Sequence, residues 1–303
     1  MTPPAADIAL LTEERFSVAV APEGDWYLVN ILLDDRLLAE ALARRGLSAA
    51  RVDWADPAVD WSRFRCAVFR TTWNYFKRFD EFMAWLDRVE RVTTLCNTPE
   101  IIRWNVDKHY FTDLEARGIP VVPSRFVEAG SDVRLADLLG ETGWRDAIVK
   151  PCVSGGAYHT YRVGLENVAD VHAIVAPLLE KQAFIVQPFQ QEIVDQGEDT
   201  LMVLNGHYTH AVRKVVKAGD FRVQDDFGGS VHDLEPTREQ MDLAERAMAA
   251  CSPAPAYGRV DMVRGNDGRF AVMELELIEP ELWLRHHPPA ADAMADGIVK
   301  AVK

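Results

Sequence analysis

The chain lacks most of what would place it in a membrane or an oxidising compartment. No apolar run approaches the length of a bilayer span, and the opening MTPPAAD has neither the basic start nor the apolar stretch of a secretion signal. Cysteine is scarce. Cys66, Cys96, Cys152 and Cys251 are scattered, with no C-x-x-C pair and no histidine cluster at zinc spacing. Positive charge is the minority sign, with 33 Lys and Arg against 47 Asp and Glu, a formal net charge of -14. That balance excludes a general binder of nucleic acid or anionic membranes, while a local anion site remains open. These absences point to a cytoplasmic protein with reduced thiols that acts on small molecules. Assembly into a homo-oligomer is left open. Cys152 reads as a buried structural thiol.

What is present is an ordinary globular composition, 48% hydrophobic and 26% charged over 303 residues, enough for two compact domains. The first hundred residues alternate in type. DIALLTE (7–13), SAARVDW and CAVFRTT (66–72) read as strands, with helices at 28–46 and 80–91 and a further strand at TTLCN. Such alternation predicts a parallel sheet with right-handed crossovers, whose ligands gather beyond the carboxyl ends of the strands. The loop RTTWNYF (70–76) follows the third strand. It offers Arg70, which can hold a carboxylate through two parallel hydrogen bonds, and Thr72, Asn74 and Tyr75, of which Asn74 and Tyr75 can fix an amine or ureido group.

From Thr98 the texture changes. TPEIIRW begins a helix, NVDKHYFTDLEARG (105–118) predicts a second one carrying Lys108, and a closing helix is expected at PPAADAMADGIVKAVK. Between them lie hairpins, one turning at Asn205-Gly206 and another at Asn266-Asp267-Gly268. The second carries Asp261 on its first strand and Glu274 and Glu276, two apart, on its second. The alternation of a strand points both glutamates to one face, and the turn brings Asp261 nearly opposite Glu274. Three converging carboxylates are costly without a cation, and oxygen ligands suit a hard divalent ion whose shell substrate phosphates can complete. A phosphate site is therefore expected. Lys108, Lys150 and the small-residue loop Ser154-Gly155-Gly156-Ala157 are its candidates. A Walker loop is absent.

The order of these parts resembles the ATP-grasp ligases over residues 98–290: Lys108, VKP with Lys150, SGGA, IVQPFQQEI, HAVRKV, FRVQDDFGG, RVDMV and ELELIEP. Within that superfamily it is similar to the bacterial glutathione synthetase branch and to the O-ureido-serine cyclo-ligase of cycloserine biosynthesis. The resemblance implies an α/β protein with a small parallel-sheet leading domain (1–103) followed by a two-lobed α+β ATP-grasp domain (104–187 and 188–303).

The resemblance also implies roles. Lys108 and Lys150 would contact ATP phosphates, Lys150 also lying near the adenine, with Ser154, Gly155 and Gly156 over the β- and γ-phosphates. Gln187 and Phe189 would meet the adenine edge mainly through backbone groups, and Glu192 or Glu198 the ribose hydroxyls. Asp261, Glu274 and Glu276 would hold two Mg²⁺ ions, Mn²⁺ being an alternative, and Glu276 replaces the Asn of the commoner Glu-x-Asn pattern. Lys214 and Arg222 would serve the γ-phosphate and the tetrahedral oxyanion; Arg213, next to Lys214 on a strand, would point the other way. The implied activity is an ATP- and Mg²⁺-dependent ligase that activates a carboxylate of an amino-acid-like substrate as an acyl phosphate for an amine-type nucleophile, closing a ring within one molecule. Intermolecular amino-acid or peptide ligation and a non-catalytic ATP-binding module are the alternatives.

Overall fold

The computed structural model describes residues 6–217 and 228–302. The leading segment is β1 (Ile8–Thr12), α1 (Trp26–Ala43), β2 (Ala49–Asp53), β3 (Cys66–Thr71), α2 (Phe79–Val89) and β4 (Thr94–Cys96). Its strands form a parallel sheet in the order β2-β1-β3-β4. Every residue of β1 and β3 is buried, as expected of a parallel sheet covered on both faces. Asp25 caps α1 by accepting the Leu28 N–H, and α2 turns Phe82, Trp85, Leu86 and Val89 onto Trp54, Trp61 and Phe69.

Next come α3 (Pro99–Asn105), α4 (Tyr110–Ala116), β5 (Arg125–Val127), α5 (Leu135–Thr142), β6 (Asp146–Pro151), β7 (Tyr161–Gly164), α6 (Val168–Leu179) and β8 (Phe184–Pro188). The four strands form an antiparallel sheet, β5-β8-β6-β7, backed by α5 and α6. The expected helix at 105–118 is broken. Asp107 Oδ1 accepts the His109 N–H and the Lys108 N–H goes to the Cys152 carbonyl, so Lys108 sits in a turn before α4 rather than on a helix.

The last stretch holds α7 (Glu192–Asp195), β9 (Glu198–Leu204), β10 (His207–Val215), β11 (Ser230–Asp233), α8 (Arg238–Ala249), β12 (Tyr257–Arg264), β13 (Phe270–Glu276) and α9 (Ala290–Val302). Its sheet is antiparallel, β11-β10-β9-β12-β13. The β9–β10 turn is made by Asn205 and Gly206, both at positive φ (54° and 86°), as a two-residue hairpin requires.

The leading sheet and the five-stranded sheet share one core. Ala291, Met294 and Ile298 of α9 pack with Leu38 and Leu42 of α1, Ile8 and Leu10 of β1, and Met202 and Leu204 of β9. The Tyr257 hydroxyl lies 3.1, 3.2 and 2.9 Å from the carbonyl oxygens of Phe69, Cys96 and Ile278, joining both sheets at one buried point. No helix among the described residues is long and apolar enough to cross a membrane.

Candidate active site

Strands of the two antiparallel sheets and the segments that follow β1 and β3 of the leading sheet line one cavity of about 520 Å³, within the range of small-molecule sites. Its acidic floor is the second hairpin. Asp261 pairs directly with Glu274 across the β12–β13 ladder, and a bulge follows at once in the register. Leu275 and Leu277 point into the core, leaving Glu274 and Glu276 half-buried toward the cavity. The outer edge of β13 is held at Val272 by the backbone of Pro120 and Val122, and further along by side chains. Asn105 donates to the Leu275 carbonyl and accepts from the Leu277 N–H, and the Leu275 N–H donates to the Tyr110 hydroxyl. Oxygens of Asp261, Glu274 and Glu276 all lie within 4.8 Å of one another.

Four cations surround this floor. Arg259 Nε and Nη2 donate to the two oxygens of Asp261 at 3.0 and 2.9 Å, and Nη2 also pairs with Glu276. Lys214 Nζ lies 3.0 Å from Asp261 and is paired with Glu198. Lys108 Nζ is 3.3 Å from Glu274, and Lys150 makes no ion pair among the described residues. Burial pushes the carboxyl of Asp261 up, but Arg259 and Lys214 outweigh it and hold it well below the usual range. Burial likewise acts on Glu274, which Lys150 and Lys108 pull lower. Glu276 and Glu198 are raised by burial despite Arg259 and Lys214 respectively. Burial also lowers the Lys150 ammonium.

Above the floor, Lys108 Nζ donates to the Ser154 carbonyl at 2.8 Å, and Ser154 Oγ donates to the Pro151 carbonyl. Gly155 lies under the Phe76 ring, where a Cβ would come within 3.0 Å of it, and Gly156 has a φ of 53°. The small residues of this loop are thus required by the fold as well as suited to an anion.

Two family models match the chain: the N-terminal domain of D-cycloserine synthetase DcsG over residues 8–97, and the ATP-grasp domain of prokaryotic glutathione synthetase over residues 122–252. The cycloserine biosynthesis protein DcsG of Streptomyces lavendulae is 35% identical over 289 residues, which is 88% of this chain and 93% of that protein. The chain belongs to the ATP-grasp ligases. The crystal structure of D-cycloserine synthetase DcsG matches with a TM-score of 0.85 and 33% identity, over 98% of this chain and 99% of that one. D-alanine–D-alanine ligase from Bacillus anthracis shares the fold at 15% identity and a TM-score of 0.65, over 98% and 97% of the two chains.

As an ATP-grasp enzyme the protein is an ADP-forming, ATP-dependent C–N ligase that uses Mg²⁺. The acidic floor fits that ion, because it is a set of hard carboxylate oxygens, close together and open to the cavity. A second group, Asp107, His109 and Cys152, fits a metal less well. Both ring nitrogens of His109 already meet carboxylates, those of Asp107 and Glu128, and burial pushes the Cys152 thiol up.

Of the residues expected from sequence, Lys108, Lys150, Ser154, Gly155, Gly156, Gln187, Phe189, Glu198, Lys214, Asp261, Glu274, Glu276, Asn74 and Tyr75 line the cavity. Arg213 faces away, in a two-pronged pair with Asp199, as strand alternation requires. Two expectations need correction, and two others are narrowed. Arg70 is buried in an ion pair with Asp35, 2.8 Å from its Nε, and does not line the cavity. Thr72 is fully buried and does not line it either. Of the two ribose candidates only Glu198 lines the cavity, and Glu192 opens α7 outside the wall. The Phe189 N–H is taken by the Asp146 carbonyl, and the Gln187 amide donates to Ser124, so a backbone route from Phe189 N–H to adenine is closed. Arg222 and most of FRVQDDFGG lie outside the described residues.

Arg259 and Glu279 are among the cavity residues that the sequence reading did not single out. Arg259 stands two before Asp261 on β12, so the same alternation that paired Glu274 with Glu276 would have found it. Glu279 lies beyond the end of β13, where no periodicity reaches.

Proposed function

We propose that this ligase phosphorylates a carboxylate of a small amino-acid-like substrate with ATP, then joins the acyl phosphate to an amine-type nitrogen of the same molecule, closing a ring. One observation carries the reading. The leading loop with Asn74 and Tyr75, the acidic floor, and the Lys108–Lys150–glycine-loop wall all line a single cavity. Likeness to DcsG in both the leading segment and the remainder supports the cyclising form.

In this reading the chain divides at 1–103, 104–187 and 188–303. Lys108 and Lys150 bind the phosphates under the Ser154–Gly156 loop, and Asp261, Glu274 and Glu276 hold two Mg²⁺ ions, with Mn²⁺ as a substitute. When bound, the ions neutralise the β- and γ-phosphates. A substrate carboxylate oxygen attacks the γ-phosphorus, and ADP departs with the P–O electron pair. The nitrogen then attacks the acyl carbon, phosphate departs with the C–O pair, and the nitrogen sheds one proton. Lys214 and Arg259 offer N–H groups to the developing oxyanion. Asn74 and Tyr75 position the substrate.

The test is Mg²⁺-dependent ADP release with O-ureido-serine and a panel of D- and L-amino acids, supplied singly and in pairs. Turnover of one compound alone supports ring closure. A strict need for two organic substrates overturns it in favour of intermolecular ligation.

A further inference from the structure

Resting on that reading of the site, we propose that Glu279 recognises the substrate's free ammonium group, so that the substrate is an amino acid with an unblocked amine. Seven carboxylates line the cavity. Five are committed to cations: Asp261 and Glu276 to Arg259, Glu198 to Lys214, Glu274 to Lys108, and Glu281 to Arg285. Glu13 has no ion pair among the described residues either, and burial raises it, although Arg15, Lys77 and Arg78 pull it back in part. Glu279 is the stronger case, raised well above its usual range. Among the described residues no Lys, Arg or His pairs with its carboxylate, although the side chain is half-buried and lines the cavity. Burial and the neighbouring Glu276 both penalise its charge, and such a group is stabilised by an incoming cation.

Its position decides which cation. The Trp73 indole N–H donates to the Glu279 carbonyl at 2.9 Å, fixing this residue against the leading-segment loop. Burial raises the Tyr75 hydroxyl well above its usual range, and Glu279, Glu276 and Glu274 add to it. Glu279 thus lies beside the loop that carries Asn74 and Tyr75, in the lining of the same cavity. An ammonium there would meet the carboxylate in a cavity that Tyr75 and Trp73 also line, groups that favour a small cation. A diphosphate-bound metal would instead be drawn to the three carboxylates of the hairpin.

The experiment compares amino compounds, including O-ureido-D-serine, with des-amino analogues that carry hydrogen in place of the ammonium. It reads ADP release and, separately, the thermal shift caused by Mg²⁺ and ADP. The wild type should prefer the amino compound by at least about 30-fold in kcat/KM. Glu279→Gln should erase most of that preference, mainly through KM, and leave the nucleotide shift unchanged. Glu279→Asp should retain part of the preference. An undiminished preference in Glu279→Gln overturns the assignment while leaving the ligase reading intact. Loss of the nucleotide shift also overturns it, by placing Glu279 on the metal side. No ADP release from any amino compound overturns both.

Discussion

Arg259 and Asp261 face the same side of β12, and the guanidinium holds both carboxylate oxygens, at 3.0 and 2.9 Å, while also reaching Glu276. This arginine is the main counter-charge of both acids, although burial still raises Glu276. Replacing it with Met should leave both without their main partner and cost about 3–5 kcal/mol, the usual effect of breaking a buried pair. Mg²⁺ with ADP should then raise the melting temperature of Arg259→Met by more than it raises that of the wild type. An equal or smaller shift would show that the floor does not take the metal.

Lys150 is the cavity ammonium with no ion pair among the described residues, and burial lowers its pKa. A bound polyphosphate would supply the missing charge. At a nucleotide concentration of about 100 times Kd, binding stabilises the native state by about 2.7 kcal/mol. Lys150→Ala should lose most of that gain in calorimetry with Mg²⁺ and ATP, and an unaltered gain would place the nucleotide elsewhere.

Arg70 behaves as a structural latch. Asp35 of α1 receives it at 2.8 Å and also pairs with Arg51, tying α1 to β2 and β3. Arg70→Ala should therefore cost about 3 kcal/mol in denaturant unfolding, with KM for the substrate unchanged. A stable variant with a raised KM would restore Arg70 to the substrate site.

His210 gives the pH dependence. It is buried, with one ring nitrogen 2.8 Å from the Leu282 carbonyl and the other 2.9 Å from Thr209 Oγ1. Burial lowers its pKa to about 4, so the folded protein keeps the imidazole neutral. Because the folded pKa is depressed, this contribution is complete above pH 6.5 and fades as pH falls toward 4, by up to roughly 3 kcal/mol. The difference in unfolding free energy between wild type and His210→Gln should shrink over that window. A difference independent of pH would sink the idea.

The hairpins were legible because local chemistry dictated them. Asn205-Gly206 sets its own turn, and the two-residue alternation of β13 put Glu274 opposite Asp261 with Glu276 on the same face. Arg70 was misjudged because its partner, Asp35, belongs to a helix distant in sequence, which the end of a strand does not reveal. The break before α4 was hidden for a similar reason, since it depends on the Cys152 carbonyl. Helix α8 did carry a signal. Thr237 and Gln240 form a reciprocal capping box, readable as T-x-x-Q. Glu279 had no such signature. Its place in the cavity follows from how the chain leaves β13 and meets Trp73.

The sharing of one core by α1 and α9 bears on how the chain is made. Arg45 and Asp292, which clasp the two helices together, are 247 positions apart. Ribosomes add about 5–20 residues per second, so the apolar side of α1 waits roughly 12–50 s for its cover. Through that interval the part of Leu38 and Leu42 that α9 later covers lacks that cover, and apolar surface left open in this way favours aggregation.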